Sequence, residues 1–251
     1  MAVVIAQPGQ GEKGQEMPMM NVPPNAQTIQ LPMGLPPGLA YLQTLNEVLI
    51  HQHFDTLEIV TGFERNNKYR LCNSAEQQFL YAKEDTDCMT RQCCGNNRPF
   101  TMNITDNNWQ PMVQLYRPFR CVGSLCWCCC LQEMDIMSPP GVTIGTVKQI
   151  WTPWSPKYGV FDQQGNQVFT INGECCYCAC CTDIMFPVSD ASTGEEIGRI
   201  IKHWGGCREL LGGVNDFRVQ FPAEMDIFKK TLLLGATFLI DFVYFERNKN
   251  N

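Results

Sequence analysis

Residues 158–171, YGVFDQQGNQVFTI, decide the fold class. Tyr158–Phe161 and Gln167–Ile171 read as short strands, and Gln163-Gln164-Gly165-Asn166 between them is a hairpin turn. Downstream, Ile184–Val188 and Glu196–Lys202 flank Asp190–Gly194 in the same way, and Phe217–Phe221 alternates apolar with polar. Upstream, strand-like pieces recur at Thr56–Val60, Tyr69–Asn73, Gln78–Lys83, Phe100–Thr105, Met112–Tyr116, Leu131–Met137 and Thr143–Thr152. Only Leu39–His51 carries helix-compatible spacing here, through Leu42, Leu45, Val48 and Leu49. Many short strands with regular turns predict a mainly β protein, a barrel or a sandwich.

The chain has 251 residues, 44% hydrophobic and 18% charged, with net charge −6. That content supports a core and excludes wholesale disorder, and the acidic balance makes nucleic acid an unfavoured partner. The segment 1–37 reads as a disordered tail: it is rich in Pro and Gly, lacks aromatics, and cannot bury enough apolar surface to offset its ordering entropy. It has no P-x-x-P spacing, so a solvated linker is favoured over a polyproline ligand. The apolar run Ala2–Ala6 lacks a basic leader, which predicts no secretory signal and a cytosol-facing chain with reduced thiols. The remainder, 38–251, reads as one domain.

Residues 231–245, TLLLGATFLIDFVYF, break the strand pattern. As a helix they would span roughly 22 Å, short of a hydrocarbon core of about 30 Å. Extension to Ile227, with Lys229 and Lys230 snorkelling, adds a turn, but Asp241 in hydrocarbon would cost roughly 3 kcal/mol. A membrane span and a helix buried in the β domain both fit.

Of the 15 Cys, two clusters stand out: Cys121, Cys126, Cys128, Cys129 and Cys130, and Cys175, Cys176, Cys178, Cys180 and Cys181. Cys126–Cys129, Cys175–Cys178 and Cys178–Cys181 have zinc-site spacing, but adjacent Cys fit one ion poorly. Thiols beside Leu125, Trp127 and Leu131 suit multiple S-palmitoylation, since two acyl chains give stable anchoring. The second cluster reads as buried small hydrophobes. No hydrolase, P-loop or dinucleotide motif is present. His51 and His53 read as a solvated pair near a helix end. Gly213–Glu224, tested as a calcium loop, lacks a leading carboxylate and has Arg218 where an EF-hand has glycine; an ordinary strand with a Pro222 exit is the favoured reading.

Several stretches taken together resemble the phospholipid scramblase family. They are Pro36–Leu42, Arg117–Cys121, the Cys-rich run into Leu131-Gln132-Glu133, Pro139–Val142, Gly198–Trp204 (GRIIKHW), Phe217–Asp226 (FRVQFPAEMD) and Leu239–Phe242. The resemblance covers about four-fifths of the chain, from Pro36 to Glu246. It implies a Tubby-like closed β-barrel of about twelve strands around a hydrophobic C-terminal helix, 227–245. The family description also makes that helix a type II single-pass anchor. The implied activity is calcium-stimulated, ATP-independent, bidirectional movement of phospholipids between leaflets at the plasma membrane. The family's acylated run maps onto Cys126, Cys128, Cys129 and Cys130. Its Ca2+ segment maps onto Gly213–Glu224, with Asn215, Asp216, Phe217, Val219, Phe221 and Glu224 as the ligand positions. Gly213 and Glu224 stand where the family has Asp. Its nuclear import segment maps onto Gly198–Cys207, here with fewer basic residues. The implied partners are membrane phospholipids, a second copy of the chain, and cytosolic signalling proteins reached through the tail. Two further classes stay open: a membrane-tethered lipid-binding regulatory protein without transport, and a Cys-cluster metal protein.

Overall fold

The structure, a computed structural model, describes residues 36–53, 66–94, 97–120, 130–139, 141–174, 182–204 and 215–246. Twelve antiparallel strands close into a barrel in which each pairs with its chain neighbours and β1 pairs with β12. They are β1 (Glu47–His53), β2 (Lys68–Cys72), β3 (Gln78–Asp85), β4 (Phe100–Asp106), β5 (Pro111–Arg117), β6 (Glu133–Ser138), β7 (Val142–Ile150), β8 (Lys157–Asp162), β9 (Gln167–Asn172), β10 (Ile184–Asp190), β11 (Glu196–His203) and β12 (Asp216–Gln220). Helices are α1 (Ala40–Gln43), α2 (Cys88–Cys94) and α3 (Ile227–Ile240), the last continued by a π-helical turn, Asp241–Phe245. The predicted helix over Leu39–His51 is corrected: helix stops at Gln43, and Glu47–His53 is strand β1. Val48, Leu49 and Ile50 are all buried, and such an unbroken apolar run carries no period that separates strand from helix. Thr56–Val60 lies outside the described residues.

Alternation fixes the wall. In β4, Phe100, Met102 and Ile104 are buried while Thr101, Asn103 and Thr105 face outward, and β6 and β12 repeat the pattern. Apolar-in and polar-out is the inverse of a transmembrane barrel, whose outer face is apolar. The lumen is filled by α3, on which every residue but Phe228 and Lys229 is buried. Leu232 lies against Gly145 of β7, and Gly235 against Ile136 and Leu115. Phe238 meets Tyr69 edge-on at 5.1 Å, and Phe242 stacks on Phe100 at 4.1 Å. Of the two sequence readings of this segment, the structure thus shows the buried one. Among the described residues no helix is long and apolar enough to cross a membrane.

The two ends of the barrel differ. Strand directions put the connections 73–77, 107–110, 139–141, 163–166 and 191–195 at one end, here the turn end, where α3 begins. Three of these turns share one design. Asn73, Asp106 and Asp162 each accept two backbone N–H bonds with a side-chain oxygen, and the third residue on has positive φ: Glu76, Trp109 and Gly165. The connections 54–67, 86–99, 118–132, 151–156, 173–183 and 204–215, all longer, join strands at the other end, the loop end, where α3 finishes.

Candidate functional site: the loop end of the barrel

The loop end is closed by charge. Glu84 of β3, Arg98 and Glu246, just past α3, meet there: Arg98 Nε donates to Glu84 Oε1 at 2.8 Å and its Nη2 pairs with Glu246. Asn67 Nδ2 donates to Glu84 Oε2 and Glu246 Oε1, both at 2.8 Å. Burial opposes the charge on Arg98, but Glu246 and Glu84 outweigh it and hold its guanidinium above the ordinary range. Burial pushes the Glu246 carboxyl up, against the pull of Arg98. Among the described residues Arg117 is bonded to no carboxylate: Nε and Nη2 donate to Gln132 Oε1 and Nη1 to the Arg98 carbonyl. Burial lowers its pKa to about 10, so it remains cationic at neutral pH.

Beneath this plug, Tyr69 OH donates to Asp241 Oδ2 at 2.7 Å and Asn215 Nδ2 to Asp241 Oδ1 at 2.8 Å. Burial raises the Asp241 carboxyl to about 7 despite both bonds. With α3 filling the lumen, the described residues leave no polar path along the barrel axis for a headgroup.

Around the plug the loop end presents aromatics to solvent. Trp151 and Trp154 in the β7–β8 connection are 53% and 78% exposed, with Trp204 after β11 and Phe119 after β5 also exposed. Trp rings prefer the membrane–water interface. Cys126, Cys128 and Cys129 lie outside the described residues, as does the second cysteine cluster. The residues flanking both, Arg120 and Cys130, Gly173 and Asp183, belong to this same end. Cys130 is half-buried with a free thiol.

The expected calcium positions do not converge. Asn215–Glu224 runs as strand β12 and its exit, so the side chains alternate: Phe217, Val219 and Phe221 point into the core. Asn215 is 4% exposed and spends its amide on Asp241. Asp216, the first residue of β12, accepts from His51 on the barrel wall, whereas Glu224 is exposed past the turn end. These residues therefore do not fit the shell of one Ca2+, whose oxygens must sit about 2.4 Å from the ion. In the import-like stretch, Arg199 is exposed but Lys202 is 2% exposed, its Nζ bonded to the His203 carbonyl. The solvated-pair reading of His51 and His53 is also corrected: His51 sits mid-strand in β1, half-buried, bonded to Asp216. That bond, opposed by burial, raises its pKa. This pairing is not visible in sequence, because Asp216 lies across the β1–β12 seam.

A closed twelve-stranded barrel wrapped around its own C-terminal helix, with its long connections and exposed Trp151, Trp154 and Trp204 at one end, defines the class of protein. The Scramblase family model matches residues 25–247. The chain is 47% identical over 219 residues to phospholipid scramblase 2 of Bos taurus, covering 87% of this chain and 74% of that protein. It is 46% identical over 218 residues to phospholipid scramblase 1 of Homo sapiens, covering 86% and 68%. It is 35% identical over 252 residues to phospholipid scramblase family member 5 of Homo sapiens, covering 96% and 92%. The chain belongs to the scramblase family. No solved structure matches it.

Proposed function

We propose that this protein moves phospholipids between the leaflets of the plasma membrane, bidirectionally, without ATP and under calcium stimulation, from the cytosolic side. The observation that carries the reading is the family membership together with the loop end, where exposed Trp151 and Trp154 share one face with the strand ends flanking Cys126–Cys130. Palmitoyl chains on Cys126, Cys128, Cys129 and Cys130 tether the loop end, and the tryptophans seat it at headgroup depth. Because α3 fills the lumen, lipid crosses outside the barrel, along bilayer thinned or disordered by this face and by a second copy beside it. Calcium stimulation belongs to the proposal, but no step is routed through Asn215–Glu224, whose residues do not form a common shell. The N-terminal tail supplies the contact to cytosolic signalling proteins.

The filled lumen favours one other reading, a tethered lipid-binding regulator that moves no lipid. Purified, acylated protein in vesicles carrying a fluorescent lipid separates the two. Dithionite quenching that passes well beyond the outer-leaflet half, faster with calcium, is the expected result; quenching that stops at about half means a tether without transport.

A further inference from the structure

Outside the loop-end face, one cluster on the barrel wall has the composition of a transition-metal site. His51 of β1, Cys72 at the end of β2 and Glu76 in the β2–β3 turn bring one nitrogen, one sulfur and one oxygen within 4.8 Å of each other. We propose that His51, Cys72 and Glu76 bind a borderline-soft divalent ion of the zinc class, with Asp216 as the carboxylate that orients His51.

Three features of the geometry point to a ligand. His51 Nδ1 is engaged by Asp216 Oδ1 at 2.9 Å, which presents Nε2 to the cluster. A carboxylate holding the far nitrogen of an imidazole is the usual outer support of a metal-bound histidine. Nε2 is buried and lies 3.0 Å from Glu76 Oε2, yet makes no aligned hydrogen bond. The third feature is backbone. Glu76 has φ +60 at the turn position where the equivalent β8–β9 turn has Gly165, at φ +85. A left-handed non-glycine backbone is strained, because its Cβ crowds the following carbonyl oxygen. Trp109, at that position in the β4–β5 turn, stacks edge-on with Tyr81. The corresponding contact of Glu76 is the His51–Cys72 pair. The turn is stiff, since Asn73 Oδ1 takes the N–H groups of Ala75 and Gln77 and Asn73 Nδ2 reaches Tyr41 OH at 2.9 Å.

The donor set selects the ion. Thiolate, imidazole and carboxylate suit zinc, whereas calcium and magnesium take oxygen ligands only. Tetrahedral coordination at about 2.0–2.3 Å sets donors roughly 3.5 Å apart, so closure on the ion needs side-chain movement on the order of 1 Å. A solvent molecule completes the shell on the side where Glu76 is exposed, and the Cys72 thiol loses its proton to solvent as the sulfur–metal bond forms. The bound ion would join β1, β2 and the turn 73–77, and through Asp216 would tie this wall to β12 across the closing seam.

The test uses the full chain, stripped with chelator, in thermal unfolding with and without zinc and in cobalt titration. Zinc is expected to raise the wild-type Tm, and cobalt to give a thiolate charge-transfer band whose intensity drops by one equivalent in Cys72→Ser. Because 15 Cys are present, that difference is the readout. Asp216→Asn is expected to weaken the response about 10–100-fold. Glu76→Gly relieves the backbone, so its metal-free Tm should equal or exceed wild type while its zinc response falls at least tenfold. Zinc responses in Glu76→Gly, Cys72→Ser and His51→Ala equal to wild type would overturn the site, as would no zinc response in the wild type, which would leave His51 simply held between Asp216 and Glu76.

Discussion

Asp241 carries the objection to a membrane span, and the barrel interior answers it with Tyr69 OH and the Asn215 amide. Its carboxyl is raised to about 7, so the folded chain holds a proton that the unfolded chain releases near pH 4. The stability tied to that proton is complete below about pH 4 and is lost as pH rises through 7, by at most ~4 kcal/mol. Asp241→Asn is therefore expected to flatten the pH dependence of denaturant unfolding between pH 4 and 7; an unchanged slope would show that other groups dominate. At the opposite end of α3, Lys230 is fully buried and its Nζ donates to the carbonyls of Gln43, Leu45 and Ala223 at 2.7–2.8 Å. Lys230→Met strands those acceptors and should cost about 3 kcal/mol or more, read as a lower denaturation midpoint. No motif marks Lys230 in sequence, where it looks like an interfacial lysine beside an apolar run. Its role depends on α1 and the Pro222–Met225 exit lying beside it in space.

At the scale of elements, the strands were legible wherever one face is wet. β4, β6 and β12 alternate cleanly, and the hairpin 158–171 shows its turn through Gly165. β1 escapes because it is buried on both sides, and α2 because CMTRQCC has no apolar period. Two glycines of the wall are fixed by close approach rather than by turn geometry. A Cβ on Gly145 would fall 2.2 Å from the Phe161 carbonyl and 2.8 Å from Leu232 of α3, and one on Gly198 2.3 Å from the Gln220 carbonyl. Gly198 thus accounts structurally for the start of the GRIIKHW stretch. Gly145→Ala should open the β7–β8 ladder and loosen α3 together, lowering the Tm by several degrees. Hydrogen exchange should then rise in both elements, whereas a change confined to β7 would mean that the helix seats independently.

At the scale of the molecule, the candidate membrane face was half legible. The cysteine clusters and tryptophans are conspicuous as residues, but that Trp151, Trp154 and Trp204 share one end with the residues flanking both clusters follows only from strand direction in a closed barrel. Trp151→Ala with Trp154→Ala should reduce binding of the unacylated chain to vesicles roughly tenfold while leaving the Tm unchanged, because both side chains are exposed. Unaltered binding would place the contact elsewhere on the wall. The position of α3 has a consequence for biosynthesis. The lumen is filled by residues 227–245 and the ring is shut by β1 against β12, so the first strand waits for the last and both wait for the helix. Such non-local contacts form slowly and leave strand edges open meanwhile. During synthesis β1–β11 emerge before residues 227–245, so the ring cannot close on its helix until that last segment has followed. A nascent chain cut short before Ile227 has no core to close on and is a substrate for chaperones.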